Sequence, residues 1–253
     1  MNANFSFDLL FEYSQAVTPY LAGRFSPLEP SSEAVLPSVT YDTSCSDEIQ
    51  ALYQSLATSN PEAKQAYWLT RTWGLLCWQP IYLSFISIYA CRGLPNIKTM
   101  TQDIQSEFIA GYQFNDKQVR VDEQNELIRL AAQELNELFE FYRSEIGAWT
   151  RIRPGFTQYL FADAILDCIV KVQAYLPDLP NEYLLEQAKL WVESAQLPLA
   201  SLRGLKINPE TNKLHLVRTS CCLVYKCEGR KLCDDCPKHP NNKKGMTKQA
   251  VAS

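Results

Sequence analysis

Five of the nine cysteines in this chain fall within sixteen residues near its C-terminal end. They are Cys221, Cys222, Cys227, Cys233 and Cys236, in the frame Cys-Cys, ten residues, Cys-x-x-Cys. A hydrophobic core does not need cysteines at this density, whereas the thiolate ligands of a metal centre must come together in space. The spacing therefore predicts a segment that folds around a metal ion or an iron–sulfur cluster.

The two ends of this frame differ in what they can bind. Cys233 and Cys236 are separated by two residues, and such a loop turns the chain back so that both sulfurs can reach one metal. Neighbouring side chains tend to point apart, so Cys221 and Cys222 suit a larger body, such as a two-iron cluster, better than a zinc ribbon. Structural zinc stays open from the spacing alone. A disulfide knot is disfavoured where thiols are kept reduced.

The other four cysteines stand singly among apolar residues, which is typical of buried small side chains. They are Cys45, Cys77, Cys91 and Cys168. A chain of 253 residues can bury a sizeable core without a metal or a disulfide. The C-terminal cysteines therefore point to chemistry rather than to stability.

Helical periodicity dominates the first two hundred residues. It predicts helices over Asp47–Ala57, from Pro61 through Leu76, over Asp122–Trp149 and Phe156–Tyr175, and from Asn181 through Trp191. Two hairpins are predicted, one within Tyr112–Val121 around Asn115-Asp116 and one that joins residues 204–207 to 214–217. The predicted fold class is mainly α (α+β). A mainly helical domain is expected over residues 1–203, a cluster-binding segment with a small hairpin over 204–240, and a disordered tail over 241–253.

The most apolar stretch of the chain is Trp73–Ala90. It lies at the lower length limit for a bilayer span and contains Gln79 and Pro80. It predicts a buried helix pair broken at Pro80, with peripheral association with the inner membrane left open. The N-terminal sequence lacks the basic region and the long apolar run of a secretory signal, which predicts a cytoplasmic protein.

Charge is distributed unevenly along the chain. The formal net charge is −4, but from Arg203 onward eleven Lys and Arg residues face four Asp and Glu residues. The rest of the chain therefore carries a net −11. A basic end on an acidic body is typical of an electrostatic docking surface. The overall balance gives no argument for nucleic-acid binding.

The run from Arg218 to Pro237, with Tyr225 inside it, resembles the C-terminal signature of the ferric-siderophore reductase (FhuF) family. The resemblance implies a [2Fe–2S] cluster and does not require a cysteine at position 227, although the Cys222-x4-Cys227 spacing leaves an alternative ligand set open. The implied ligands are Cys221, Cys222, Cys233 and Cys236. It also implies an oxidoreductase that reduces iron(III) bound to a siderophore, of hydroxamate type, to iron(II). The helical domain of residues 1–203 would then bind the siderophore.

Electrons for such a reaction have to come from another protein. The chain contains no Gly-x-Gly-x-x-Gly motif, so we expect it to bind neither flavin nor nicotinamide itself. An external donor such as a ferredoxin or a flavin reductase would dock on the basic C-terminal region. Lys226, Arg230 and Lys231 are expected to raise the reduction potential of the cluster.

A siderophore needs a cleft with apolar walls and a few polar anchors. The candidate substrate-binding residues are Arg71, Trp73, Trp78, Arg92, Arg151 and Arg153. Tryptophans of this kind are more often core residues, and the arginines are more often surface charges. Two other functions compete with the reductase: a zinc-stabilised interaction or nucleic-acid-binding module, and an iron–sulfur redox sensor.

Overall fold

A computed structural model describes residues 5–25 and 36–247 of the chain. The helices are α1 (Phe7–Val17), α2 (Ser46–Ser59), α3 (Lys64–Tyr89), α4 (Gln124–Gly147), α5 (Pro154–Tyr175), α6 (Asn181–Ser194) and α7 (Pro240–Thr247). The strands are β1 (Gly23–Phe25), β2 (Ser38–Thr40), β3 (Leu94–Pro95), β4 (Thr101–Gln105), β5 (Phe108–Phe114), β6 (Val119–Arg120), β7 (Leu205–Ile207) and β8 (Leu214–Leu216). The predicted fold class, mainly α with small sheets, is confirmed.

The chain divides into two compact units. The first contains Met1–Ser55 and Thr72–Arg153, and the second contains Leu56–Arg71 and Pro154–Ser253. This division differs from the expected boundary between residues 203 and 204, because α5, α6 and the start of α3 fold with the cysteine segment. The expected boundary separates a substrate-binding region from a cluster-binding region, and this functional division stays a prediction.

The first unit contains a four-stranded sheet in the order β1-β5-β4-β2. β5 lies between β4, to which it is antiparallel, and β1, to which it is parallel. The hairpin expected around Asn115-Asp116 is therefore wrong, since β6 pairs with β3 instead. The turn lies earlier, between Gln105 and Phe108. Most of β5 is buried, as suits an internal strand rather than one arm of an isolated hairpin.

Helix α3 continues through Pro80, so the predicted break at this residue is also wrong. Proline has no N–H group, which deprives the carbonyl of Leu76 of its helical donor. The side-chain amide of Gln102 on β4 replaces that donor at 2.9 Å and also donates to the hydroxyl of Tyr142 at 2.8 Å. In the part of the chain that the structure describes, no helix is long and apolar enough to cross a membrane.

The second unit confirms the predicted hairpin of β7 and β8, with Leu205 opposite Leu216 and Ile207 opposite Leu214. Gly204 starts the hairpin because a Cβ atom at this position would lie 2.3 Å from the carbonyl oxygen of Val217. Gln173 on α5 attaches the hairpin, since its side-chain oxygen accepts the backbone N–H of Leu214 at 2.7 Å. The hairpin therefore ends beside α5, at the point where the cysteine segment begins.

Helix α7 occupies a stretch where the sequence predicted a disordered tail from residue 241. Pro240 suits the first turn of a helix, where its missing N–H has no intrahelical partner to lose. The side chain of Asn242 donates to the carbonyls of Asp234 and Cys236, at 2.7 and 2.9 Å. These bonds tie the start of α7 to the cysteine segment. Residues 248–253 of the predicted tail lie outside the described residues.

The predicted helices correspond to α2, α4, α5 and α6, with ends shifted by a few residues. Leu184, Ala188 and Trp191, the apolar face expected for α6, are all fully buried. Helix α1 was not predicted from the sequence. It packs through Phe7, whose ring contacts those of Phe25 and Phe114.

Replacing Gln102 with leucine tests whether the hydrogen bond from its side chain to the carbonyl of Leu76 stabilises α3 at Pro80. The variant leaves the buried carbonyl of Leu76 without a donor, so we expect the free energy of unfolding to fall by about 1–3 kcal/mol. In a Pro80→Ala background the new N–H can reach that carbonyl, and Gln102→Leu should cost less. Urea unfolding followed by circular dichroism measures both steps.

Gln133→Leu on the exposed side of α4 is the matched control, since it makes the same chemical change at a solvated position. Its effect should stay below about 0.5 kcal/mol. Equal losses for Gln102→Leu with and without Pro80 would contradict this explanation of the continuous helix.

Candidate metal centre

The four predicted ligand sulfurs lie in two close pairs. The Sγ atoms of Cys221 and Cys236 are 3.5 Å apart, and those of Cys222 and Cys233 are 3.6 Å apart. A tetrahedral metal with bonds of about 2.3 Å to sulfur holds two thiolates about 3.8 Å apart. Each pair therefore has a spacing suited to one metal. Cys221 and Cys222 are neighbours in the chain but belong to different pairs, and the charge of Cys222 acts on the Cys221 thiol.

The two sulfur pairs match the ligand pattern of a two-metal group. Structural zinc takes four donors around one ion. A [2Fe–2S] cluster instead takes two thiolates on each of its two irons, which matches two sulfur pairs side by side.

Short backbone turns bring the sulfurs together. The N–H of Cys236 donates to the carbonyl of Cys233 at 3.0 Å, which closes the Cys-x-x-Cys loop. Leu223 takes a left-handed conformation with φ of 61° just after Cys222. A single 3-10 turn, Val224–Lys226, follows. These reversals return the chain, so that the N–H of Arg218 donates to the carbonyl of Asp235 at 2.9 Å.

A buried carboxylate holds the chain immediately before Cys221. Asp163 on α5 accepts the backbone N–H groups of Thr219 and Ser220 at 2.8 and 2.6 Å. Burial raises the pKa of Asp163 to about 6, although both N–H donors and the charge of Arg218 act to lower it. The carboxyl is therefore mainly ionised at neutral pH. Sequence reasoning missed this residue, whose only signal is an aspartate within the apolar stretch of α5.

Arg218 joins the charge of the segment to one sulfur pair. Its Nε and Nη2 atoms contact the carboxylate of Asp235 at 2.6 and 2.7 Å, and Nη2 also lies 3.8 Å from Cys222 Sγ. The Arg218 side chain is 17% exposed. Arg218 also acts to lower the pKa of the Cys233 thiol. It was quoted in the sequence motif, but its role could not be read there.

Two of the thiols, Cys221 and Cys233, are not held as free thiolates. Burial raises the pKa of Cys221 and of Cys233, and the partner sulfur in each pair raises it further. Since iron binds the deprotonated sulfur, its binding at these two residues must release protons.

Cys227 lies in a different environment. It is buried against Ala63 and Tyr67, with Trp68 and Leu223 packed on this group. Burial raises the pKa of Tyr67 to about 12, and a hydrogen bond with Cys227 adds to this effect. The next residue, Glu228, donates its N–H to the carboxylate of Glu62 at 2.9 Å. Cys227 thus packs the cysteine segment onto residues 61–68.

The cations expected to tune the cluster are farther into solvent than Arg218. Arg230 and Lys231 are exposed, and Lys226 is half-buried. Lys238 is also exposed, and its ammonium donates to the Tyr225 hydroxyl at 2.9 Å. Its backbone N–H lies 3.4 Å from Cys236 Sγ.

The six candidate substrate-binding residues do not share one environment. Arg71 is half-buried in the second unit, where its charge acts on Tyr67. The other five belong to the first unit.

Of these five, Trp73 is 2% exposed and packs against Phe139, which favours the core role. Trp78 is half-buried and donates to the carbonyl of Ile109 at 3.0 Å. The three remaining arginines are exposed, and they are Arg92, Arg151 and Arg153.

Comparison with known families identifies the cysteine segment. Residues 218–238 match the family model for the FhuF 2Fe-2S C-terminal domain. The resemblance predicted from the sequence is confirmed over this segment, and the cofactor of the domain is a [2Fe–2S] cluster. No solved structure matches the chain.

Replacing Asp163 with alanine tests its hold on the cysteine segment. The backbone N–H groups of Thr219 and Ser220 lose a charged acceptor, worth about 1.5–3 kcal/mol for each hydrogen bond, and the chain before Cys221 becomes free to move. We expect the variant to lose iron to a chelator several-fold faster than the wild type, measured by the decay of visible absorption. Asp163→Asn keeps one acceptor oxygen, so its rate of iron loss should lie between those of Asp163→Ala and the wild type.

Asp167→Ala is the matched control, because Asp167 lies one turn further along α5 and pairs with Lys171 near the surface. Such a pair contributes little to stability. Equal rates of iron loss in Asp163→Ala and Asp167→Ala would show that Asp163 does not hold the site together.

Proposed function

We propose that this protein is a ferric-siderophore reductase that delivers one electron to chelated iron(III) and so releases iron(II). The observation that carries the proposal is that four sulfur atoms form two close pairs in a segment that matches the FhuF 2Fe-2S C-terminal domain. The bound cluster supplies a site that accepts and returns one electron at a time. The residues of the chain hold it, set its surroundings and bring the substrate close.

The sulfur distances support the proposed ligand set. Cys221 and Cys236 would bind one iron, and Cys222 and Cys233 would bind the other. Of these four, Cys236 is 1% exposed, whereas the other three are half-buried. The site is thus partly open to solvent on the side of the half-buried cysteines, as electron exchange with an outside molecule requires. Cys227 is assigned to packing.

Reduction is a sufficient means of releasing the metal. Iron(III) is a hard ion that oxygen chelators hold very tightly, whereas iron(II) prefers softer ligands and is held far less well. One electron therefore loosens the complex without cleaving the chelator. Hydroxamate siderophores are the proposed substrate class. Arg71 is the candidate anchor in the same unit as the cysteines, and the candidates in the first unit stay predictions.

The electron donor is proposed to be an acidic carrier, such as a ferredoxin, or a flavin reductase. Several cations of the cysteine segment are exposed and available for docking, namely Arg230, Lys231 and Lys238. Complementary charge speeds encounter and makes the rate depend on ionic strength. The proposed location of the reaction is the cytoplasm, where thiols are kept reduced.

Two other functions make different predictions. A zinc-stabilised module would be colourless and would contain one metal ion. A redox sensor would contain the cluster but would not turn over ferric siderophores. The sulfur pairs favour the cluster over zinc, and substrate turnover separates a reductase from a sensor.

Alanine substitutions at the cysteines test the ligand set. Cys236→Ala removes one member of a sulfur pair, so we expect loss of the visible spectrum and of bound iron after anaerobic purification. Cys227→Ala should keep two irons per chain, because its side chain is buried against Ala63 and Tyr67. Iron and acid-labile sulfide analysis measures both variants.

Cys168→Ala, a buried cysteine within α5, serves as the control for the loss of a core thiol. Cys227→Ala should resemble it in iron content and in stability. A loss of cluster in Cys227→Ala comparable to that in Cys236→Ala would contradict the ligand set.

A single-turnover experiment tests the reaction. Protein reduced by one electron under anaerobic conditions is mixed with a ferric hydroxamate in the presence of an iron(II)-specific chelator. We expect the oxidised visible spectrum to return as one iron(II) forms per cluster. The gallium(III) complex of the same hydroxamate is the control, since gallium(III) binds alike but accepts no electron under these conditions.

Failure of the ferric complex to reoxidise the reduced protein would contradict the reductase function. Reoxidation by the gallium complex would show that the spectral change has another cause. A protein that reoxidises with both ferric hydroxamates and ferric catecholates would still be a reductase, but one of broader substrate class than proposed.

A further inference from the structure

The two sulfur pairs differ in the charge that touches them. Arg218 approaches the pair of Cys222 and Cys233: it lies 3.8 Å from Cys222 Sγ and acts on the Cys233 thiol by both a hydrogen bond and its charge. The Arg218 side chain is largely buried, at 17% exposed. A cation held in such a place is screened by water much less than a surface charge.

Backbone N–H groups contact the other pair, Cys221 and Cys236. The N–H of Leu223 donates to Cys221, and the N–H of Lys238 lies 3.4 Å from Cys236 Sγ. The ammonium of Lys238 also interacts with this pair, but it is exposed and donates first to the Tyr225 hydroxyl. Partial charges and a solvated cation act on one pair, whereas a buried full charge acts on the other.

Asp235 shares the charge of Arg218. Both of its oxygens contact the guanidinium, at 2.6 and 2.7 Å, and the Nη2 atom that binds Asp235 is the same atom that approaches Cys222. A carboxylate on a cation weakens the field of that cation at other acceptors. The two side chains therefore oppose each other at the sulfurs, although they attract each other as an ion pair.

We propose that Arg218 and Asp235 form a charge pair that sets the reduction potential of the cluster through Cys222 and Cys233. Reduction adds one negative charge to the cluster, and nearby positive charge stabilises that form. Arg218 raises the potential, and Asp235 holds it below the value that Arg218 alone would give. The inference rests on the proposed ligand set but not on the proposed substrate.

The opposite signs give a test that a merely structural role would not pass. Arg218→Gln removes the cation and leaves the carboxylate, so the potential should become more negative. Asp235→Asn removes the carboxylate and leaves the cation, so the potential should become more positive. Each shift should change the equilibrium constant of reduction at least tenfold, which is about 59 mV for one electron.

Redox titration of the full chain with its cluster, followed by visible absorption and EPR, measures the potential directly. Arg230→Gln and Asp234→Asn are the matched controls, because they make the same charge changes at exposed positions of the same segment. Water screens these two charges, so each control should change the equilibrium constant less than threefold. Raising the salt concentration should leave the shifts at Arg218 and Asp235 largely unchanged.

Shifts of the same sign in Arg218→Gln and Asp235→Asn, or shifts no larger than those of the controls, would overturn the proposal. Should Arg218→Gln fail to retain its cluster, Asp235→Asn decides: a positive shift supports the proposal and its absence overturns it. If the two variants show these shifts but the wild-type protein does not reduce ferric hydroxamates, the proposed function alone is refuted. A wild-type protein without a [2Fe–2S] cluster would refute both.

Discussion

The hydrogen bonds from the backbone of Thr219 and Ser220 to the buried carboxylate of Asp163 are the constraint on which the cysteine site depends. They fix the chain at the residue before the first ligand. Helix α5 makes a second attachment of this kind ten residues later, where the side-chain oxygen of the buried Gln173 accepts the N–H of Leu214. Ten residues of helix cover about 15 Å. One rigid helix therefore anchors both the hairpin and the loop that follows it, and the cysteines are placed by a preformed support.

Local patterns in the sequence were enough to predict most helices and the C-terminal hairpin, because apolar periodicity and turn residues act over short distances. Errors arose where a distant residue changes the local outcome. Pro80 does not interrupt α3, since Gln102 supplies the lost donor from a strand. Phe108–Phe114 forms a hairpin with the strand before it rather than with the one after it, and its other neighbour, β1, comes from a distant part of the chain.

The same division runs through the site. The spacing of the cysteines and their resemblance to a family were enough to predict the cluster. Spacing could not show that Cys221 pairs with Cys236, because this depends on how the loop turns at Leu223. It also could not separate Arg218 from the other cations of the segment. The difference between them is burial, and burial is a property of the folded chain. A partly buried ion pair next to the ligands can act on the electron affinity of the cluster more strongly than exposed lysines can.

An anaerobic crystal structure of the cluster-loaded protein, with anomalous data recorded on both sides of the iron absorption edge, tests the central claim most directly. We expect two iron positions, one bound by Cys221 and Cys236 and the other by Cys222 and Cys233, with Arg218 beside the second. A single metal position among four sulfurs, or iron bound by Cys227, would contradict the claim that the sulfur pairs each hold one iron of a [2Fe–2S] cluster.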